Sequence, residues 1–123
     1  MPTKDKETTL RDYSEKDKDH QWQPGDTAYY AKFDQTRGEL VTTKHKVLEI
    51  SPTCLLLESN HTRNWYAHAV VSPNELSAIA LLYFRADGLI PQEHAYILWR
   101  LTPAIMKRAI RDWFFDVLEE HTI

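Results

Sequence analysis

Six histidines are the side chains of this sequence best suited to bind a metal ion or to move a proton. Neutral imidazole is a common zinc ligand, and a zinc site needs several ligands at a defined spacing. No two histidines lie four residues apart, and the pair His61 and His68, which flanks one predicted turn, has no carboxylate in a metal-binding spacing. We therefore predict surface or strand histidines and no metal site. The histidines are His20, His45, His61, His68, His94 and His121.

Signatures of nucleophilic and phosphate chemistry are missing from the sequence. The glycines lie at positions 25, 38 and 88, too far apart for a phosphate-binding loop, and no serine stands in a Gly-x-Ser-x-Gly turn. The single cysteine, Cys54, excludes an intrachain disulfide, and its apolar neighbours disfavour the reactive thiolate. The carboxylates of the predicted strands do not differ from ordinary exposed residues. We therefore predict a non-catalytic protein without a cofactor.

Aromatic residues next to basic residues form a third chemical pattern. Proteins bind single-stranded nucleic acid by stacking bases on aromatic rings within a basic groove. The net charge of −3 argues against this activity, because a basic face would need strong local segregation of charge. Trp65 and Tyr66 are adjacent in a predicted strand and point to opposite faces, so at least one should be buried. Nucleic-acid binding is our alternative function. Its candidate residues are Tyr30, Lys44, Lys46, Arg63, Trp65 and Tyr66.

The strongest periodic pattern lies at the carboxyl end. Apolar residues recur in pairs every four positions from Ile105 to Leu118, which predicts a helix with one broad apolar stripe and with Thr102 as its N-cap. Trp113 and Phe114 fit this stripe. Phe115 does not, because each residue turns the helix by about 100°. Phe115 therefore either meets another element of the chain or extends an exposed apolar patch of the kind that binds partners.

The charges of this helix run against its dipole. Basic residues occupy its first half and acidic residues its second half, whereas the dipole favours the reverse. Either these charges bind a partner, or they are exposed and cost little in salt. Taken with the aromatic residues, the pattern predicts a partner-binding surface. Its candidate residues are Trp113, Phe114, Phe115, Lys107, Arg108 and Arg111.

Composition limits the class of protein that carries these residues. The chain has 123 residues, of which 42% are hydrophobic and 27% charged, as in a soluble globular domain. No apolar run is long enough to span a membrane, and the first residues lack the apolar core of a secretory signal, so we expect a cytoplasmic protein that does not bind membranes. Residues 1–20 are highly charged and predict a flexible arm, which either solubilises the protein or orders against a partner.

Residues 21–72 favour β-strands. Strand-forming runs at 27–33, 40–50, 54–58 and 65–71 are separated by turn signals about every ten residues. In the second run the apolar residues switch parity near Lys46, which predicts two strands or a β-bulge. Short strands at this spacing are typical of a small antiparallel barrel.

Three motifs in this region resemble SH3-like small barrels. They are Trp22-x-Pro24-Gly25-Asp26-x-x-Tyr29-Tyr30, Gly38-x-Leu40-Val41 and Lys46-Val47-Leu48-x-Ile50. Trp65-Tyr66, followed by Val70-Val71 and a helix, is also similar to small barrels of many bacterial and phage proteins. The resemblance covers roughly residues 22–71. It implies a barrel but neither a ligand nor a functional residue, because this architecture hosts many functions.

Residues 73–123 are predicted to be helical and to pack on the barrel. Ser72-Pro73-Asn74-Glu75 fits a capping box with Ser72 as the N-cap, and Asp87-Gly88 ends this helix. Residues 91–101 fit either a helix or a strand, and we favour a helix because Pro91 suits its first turn. The predicted fold is α+β, with a small antiparallel SH3-like β-barrel followed by two or three helices.

The sequence therefore favours an interaction or regulatory protein. Its partner would be another protein of unknown identity or a second copy that docks through the last helix, with nucleic acid as the alternative. Small size, the lack of a catalytic motif and a charged arm also suit an accessory or inhibitor protein of a phage or mobile element. An enzyme would instead need a deep polar pocket with convergent titratable groups.

Overall fold

The computed structural model describes residues 8–85 and 92–121, and side chains at 92–93 and 116–121 lie outside the description. The fold is α+β, with antiparallel strands followed by helices, as predicted. The elements are α1 (Leu10–Glu15), β1 (Thr27–Asp34), β2 (Glu39–Ile50), β3 (Cys54–Ser59), β4 (Thr62–Ala67), a 3₁₀ turn (His68–Val70), α2 (Glu75–Arg85), α3 (Gln92–Leu101) and α4 (Ala104–His121).

The four strands form an open antiparallel sheet in the order β1-β2-β3-β4. After the 3₁₀ turn the chain returns to β1, where Ser72 and Tyr29 exchange two backbone hydrogen bonds of 2.7 and 3.1 Å. Within the described residues this one-residue bridge is the only pairing on the outer edge of β1. The sheet is therefore not a clearly closed barrel.

The predicted irregularity in the second strand is a β-bulge. The register between β2 and β3 shifts between Val47 and Glu49, so Leu48 is the extra residue. The bulge explains the parity switch in the sequence, because Val47 lies opposite Leu57 before it and Ile50 lies opposite Leu55 after it. β2 is thus one strand that keeps apolar residues on one face on both sides of the bulge.

Apolar residues pack on both faces of the sheet. The buried members of the cluster on the first face are Ala28, Val47, Leu55, Leu57 and Val71. The second cluster lies between the opposite face of β1 and the helices. Its buried members are Leu10, Ala31, Ala78, Ile79, Ala80, Leu82, Tyr83, Leu98, Met106, Ala109 and Ile110. The helices cover the β1 side of the second face, while Trp65 on β4 stays exposed.

α2 does not begin as predicted. The side-chain oxygen of Asn74, not that of Ser72, accepts hydrogen bonds from the backbone amides of Leu76 and Ser77 at 2.8 and 3.2 Å. Ser72 is held in its bridge to β1, and its hydroxyl accepts instead from the amide of Asn74. The prediction of Ser72 as N-cap was wrong because a tertiary contact moves the cap by two residues. The predicted end at Asp87-Gly88 lies outside the described residues.

The helical interpretation is confirmed for residues 92–101, which form α3, while Pro91 lies outside the described residues. Thr102 follows α3. We predicted it as the N-cap of α4, but its side chain does not cap that helix. Thr102 is 3% exposed, and its hydroxyl donates to the carbonyl of Leu98 at 2.8 Å and lies 2.8 Å from the hydroxyl of Tyr83. Thr102 therefore joins the end of α3 to α2, and α4 begins two residues later at Ala104.

Residues 10–15, predicted as part of a flexible arm, form the helix α1 instead. Thr9 and Asp12 build a reciprocal capping box with hydrogen bonds of 3.0 Å in both directions. Leu10 is 1% exposed and packs into the helical cluster, and the guanidinium of Arg11 lies 4.8 Å from the centre of the Phe84 ring. Capping and one buried leucine outweigh the charged composition of this segment.

Candidate interaction surfaces

The inner face of α4 holds two of the three rings predicted to bind a partner. Trp113 lies 5.6 Å from Phe84 and 5.8 Å from Tyr83, and Phe114 lies 6.0 Å from Tyr83, measured between ring centres. These edge-to-face contacts are favourable aromatic packing. Trp113 and Phe114 thus continue the buried stripe of α4, as its periodicity predicts, and belong mainly to the core.

The outer face of α4 carries the third ring. Phe115 is 59% exposed, so its side chain faces solvent instead of packing under another element of the chain. Ile105 is 70% exposed although we placed it in the apolar stripe, and this placement was wrong because the buried stripe begins one residue later, at Met106. Ile105, Arg108, Asp112 and Phe115 follow one another at spacings of three and four residues. They form one outward stripe, which we call the α4 outer stripe.

The basic residues of α4 have different environments. The ammonium of Lys107 lies 4.9 Å from the centre of the Trp99 ring, and the indole N–H of Trp99 donates to the Lys107 carbonyl at 3.4 Å. Lys107 is thereby tied to α3. Arg108 and Arg111 are exposed, and the Arg111 Nε atom lies 3.8 Å from the Asp112 carboxylate. An exposed pair of this kind contributes little to stability.

Sequence reasoning missed an exposed aromatic residue on α3. Tyr96 is 62% exposed and stacks on Trp99, with ring centres 6.3 Å apart and an interplanar angle of 24°. The helical pattern places Tyr96 opposite the buried Leu98 face, and this spacing was the available signal. Leu101 is 47% exposed at the end of α3.

The sheet separates the six candidate residues for nucleic-acid binding into two groups. Cross-strand pairing aligns Lys46, Glu58 and Arg63 on the second face, which also carries Lys44 and the 54% exposed Trp65. Tyr30 and Tyr66 lie on the first face, 5.1 Å apart between ring centres, in the apolar cluster. Trp65 and Tyr66 thus point to opposite faces, as predicted.

Acidic residues divide the positive charge on the second face. Glu58 lies between Lys46 and Arg63 in the sheet, and its carboxylate accepts a hydrogen bond of 3.1 Å from the Arg63 Nε atom. Glu49 lies on the same face, opposite Leu56. The face therefore alternates in charge and does not form a basic groove.

The first face also holds a polar cluster at the return of the chain to β1. The Arg85 guanidinium donates to the carbonyls of Ala31 and Val70, at 3.3 Å to Val70, and its central carbon lies 4.9 Å from the centre of the Tyr30 ring. Burial lowers the pKa of Arg85 from its usual value, and the nearby Tyr30 opposes this shift. Arg85 bridges two carbonyls where the backbone pairing with Ser72 ends. Its role is therefore to hold β1 against the segment after β4.

His45 adjoins this cluster. Its Nε2 atom lies 2.7 Å from the Thr43 hydroxyl, and its ring lies 5.2 Å from that of Tyr66. Burial lowers the pKa of His45, while burial and then the charge of Tyr30 raise the pKa of Tyr66. A histidine beside a hydroxyl can activate a nucleophile. Here, however, both groups lie two residues apart on one strand against the apolar cluster, which is typical of a core histidine whose hydrogen bond is satisfied.

The other histidines do not converge. His20 pairs with Asp26 at 3.2 Å and stacks edge-on against Trp22, while His68 lies 3.0 Å from the Ser51 carbonyl. His61 sits in the turn before β4 and His68 follows β4, so they lie at opposite ends of the strand. The residues that the structure describes contain no group of three or more side chains able to hold a metal ion.

Comparison of this chain with protein-family models, with curated proteins and with solved structures finds no match. Among the described helices, none combines the length and the apolar character needed to cross a membrane. A functional argument therefore depends on the two exposed surfaces above, the α4 outer stripe and the second face of the sheet.

Proposed function

We propose that this protein is a non-catalytic interaction protein that binds another protein through the α4 outer stripe. The observation that carries the proposal is the exposure of Phe115. It follows Trp113 and Phe114 in α4, but it is 59% exposed and faces solvent. Exposed phenylalanine on a charged helix is costly in water and favourable in a partner's pocket, where burial contributes about 1.5–3 kcal/mol.

The spacing of the outer stripe fits a helix that lies in a groove. Ile105, Arg108, Asp112 and Phe115 take positions i, i+3, i+7 and i+10, which is how an amphipathic helix places its anchors. Aromatic residues and arginine are enriched among the residues that dominate binding energy. The matching partner has an apolar groove for the ends of the stripe and an acidic rim for Arg108 and Arg111. A second copy of this chain is one protein that the test below includes.

The test compares Phe115→Glu with a matched variant, Tyr96→Glu, which changes an equally exposed ring on α3. Proteins captured by the wild type are identified, purified and titrated against both variants, and sedimentation measures self-association. We expect Phe115→Glu to weaken the complex at least tenfold, about 1.4 kcal/mol, and Tyr96→Glu to leave it unchanged. Unchanged affinity in a folded Phe115→Glu variant contradicts the proposal.

We also propose that residues 21–72 form an SH3-like barrel. The return of the chain to the outer edge of β1 at Ser72, and the Arg85 bridge beyond it, support this interpretation. Retention of the Ser72–Tyr29 amide hydrogen bonds in solution, measured by slowed hydrogen exchange, tests it. Fast exchange of both amides in the folded protein would contradict the barrel and favour an open sheet.

Nucleic-acid binding is the second candidate function, favoured by one observation. Trp65 is 54% exposed on the face that carries Lys44, Lys46 and Arg63. If bases stack there, single-stranded oligonucleotides will quench tryptophan fluorescence at low salt and Trp65→Ala will abolish the effect. We rank this candidate second because Glu58 and Glu49 interrupt the positive charge. The cytoplasmic location, the absence of enzymatic activity and a role in a phage or mobile element stay predictions.

A further inference from the structure

The outer edge of β4 offers backbone groups that no described residue pairs. The turn at Asn60 and His61 has positive φ at both residues, 52° and 65°, as in a two-residue hairpin of type I′. In such a hairpin Thr62 bonds to β3, and the alternation continues to His68, whose amide donates to the Thr53 carbonyl at 3.0 Å. The intervening odd-numbered residues therefore direct their N–H and C=O groups away from β3. These residues are Arg63, Trp65 and Ala67.

In the part of the chain that the structure describes, this edge has little of the usual protection against pairing, because its one charged side chain, Arg63, is held by Glu58. Sheet edges are commonly blocked by proline, by charged side chains, above all lysine, by a bulge or by a covering element. β4 contains no proline or lysine, and it pairs with β3 without any register shift. Within the described residues, no backbone group pairs with its outer edge. A regular strand with free hydrogen-bonding groups can accept another strand.

We propose that β4 pairs antiparallel with β4 of a second copy of this chain, with the two-fold axis at Trp65. In this register Trp65 lies opposite Trp65 of the second copy, and Arg63 lies opposite its Ala67. Every outward-directed backbone group of Arg63, Trp65 and Ala67 then has a partner. The two sheets join into one continuous sheet, and the interface is independent of the α4 outer stripe.

The side chains select this occupant and this register. A two-fold axis at Arg63 would oppose two arginines and leave Ala67 without a partner, whereas the axis at Trp65 separates the arginines. Arg63 also lies diagonal to Trp65 of the second copy, within reach for a cation–π contact, while Glu58 of its own chain holds the Arg63 Nε atom at 3.1 Å. The strand is therefore complementary to itself in hydrogen bonding, and this register keeps its like charges apart.

The expected dimer is weak. A six-residue strand edge is small beside the roughly 800 Å² per partner of a standard interface, so we expect a dissociation constant on the order of 10–100 μM. Sedimentation of the full chain across this range of concentrations should therefore show a reversible monomer–dimer equilibrium.

Ala67→Pro is the sharpest variant for this test. Ala67 has φ of −64°, which proline adopts, and its amide points away from β3, so the substitution removes an edge donor without breaking the hairpin. Each dimer loses two symmetric hydrogen bonds, and we expect the dissociation constant to rise roughly tenfold or more. Trp65→Lys should abolish dimerisation by opposing two charges. Tyr96→Lys and Phe115→Glu, at exposed rings on α3 and α4, should leave the dimer unchanged.

Amide hydrogen exchange supplies a readout that needs no substitution. Raising the protein concentration should slow exchange of the amides of Arg63, Trp65 and Ala67, and leave other exposed amides unaffected. A protein that stays monomeric at about 1 mM overturns the proposal, and so does an Ala67→Pro variant that still dimerises while its Arg63 and Trp65 amides exchange fast. A dimer lost only in Phe115→Glu would assign self-association to α4 instead and also overturn it. If β4 pairing fails while Phe115→Glu still abolishes partner binding, the function proposed above is unaffected.

Discussion

Replacing Arg85 by methionine should measure how much one side chain contributes to holding the sheet against the segment after β4. The wild-type guanidinium donates to the carbonyls of Ala31 and Val70 and covers the Tyr30 ring. Methionine keeps most of the apolar length of the side chain but has no donor and no charge. The variant therefore removes the bridge with little loss of packing.

The magnitude follows from the contacts that are lost. Hydrogen bonds to a charged donor contribute about 1.5–3 kcal/mol each, and a cation–π contact at a partly exposed site about 0.5–1 kcal/mol. Against this sum stands the desolvation of the guanidinium, which is also what lowers the pKa of Arg85. Relief of that cost offsets a part of the loss. We expect the free energy of unfolding to fall by about 2–4 kcal/mol.

Urea denaturation followed by circular dichroism provides the assay. Arg37→Met is the matched control, because the Arg37 side chain is 73% exposed and reaches Asp34 only at 4.0 Å, so the change should stay within about 0.5 kcal/mol. Arg85→Lys should recover only part of the loss, since one ammonium fits two separated carbonyls poorly. If Arg85→Met is as mild as Arg37→Met, the bridge does not hold this part of the fold.

Further predictions concern pH and the amino-terminal helix. Burial raises the pKa of Tyr83 from 10.0 to about 12. The contribution of neutral Tyr83 to stability is therefore complete below pH 10 and is lost as pH rises through 12, by about 3 kcal/mol in total. Tyr83→Phe should remove this alkaline loss of stability, and a variant with an unchanged alkaline transition would refute the assignment to Tyr83. Burial lowers the pKa of His45 below 6.5. The contribution of neutral His45 to stability is therefore complete above pH 6.5 and falls in acid, because the unfolded chain takes up the proton more readily. A His45→Gln variant with the same acid dependence of stability argues against this assignment. In urea denaturation, Leu10→Ala should lower the free energy of unfolding by about 2–5 kcal/mol, whereas Lys16→Ala, at an exposed position, should lower it by under about 0.5 kcal/mol. Equal effects of the two substitutions would mean that α1 does not pack against the other helices in solution.

Periodicity in the sequence was sufficient to predict several features of the fold. The parity switch predicted two strands or a bulge near Lys46, because a strand alternates faces with a period of two and an extra residue reverses it. The structure has the bulge, with Leu48 as the extra residue. The paired apolar residues of α4 predicted a buried stripe from Ile105 to Leu118, and among the described side chains the structure confirms it from Met106 to Phe114. The 100° step between neighbours marked Phe115 as the ring outside that stripe, although only the structure shows that it faces solvent.

Features that depend on tertiary contacts could not be predicted. The cap of α2 moved from Ser72 to Asn74 because Ser72 bridges to β1, and the hydroxyl of Thr102 is used by α2 and α3. Leu10 stabilises α1 only because α2 supplies a buried site for it. In the candidate surface, the contact of Lys107 with the Trp99 ring requires α3 and α4 to meet, and no local pattern encodes that.

Site-specific photo-crosslinking at position 115 tests the central claim most directly. A photoreactive phenylalanine analogue replaces Phe115 in the full chain, and the same analogue at Lys32, an exposed position on β1, is the control. Irradiation in the native host should give discrete cross-linked protein species from position 115 and none of the same size from position 32. A folded protein that yields no cross-linked partner at position 115, or the same products from both positions, contradicts a docking role for the outer stripe of α4.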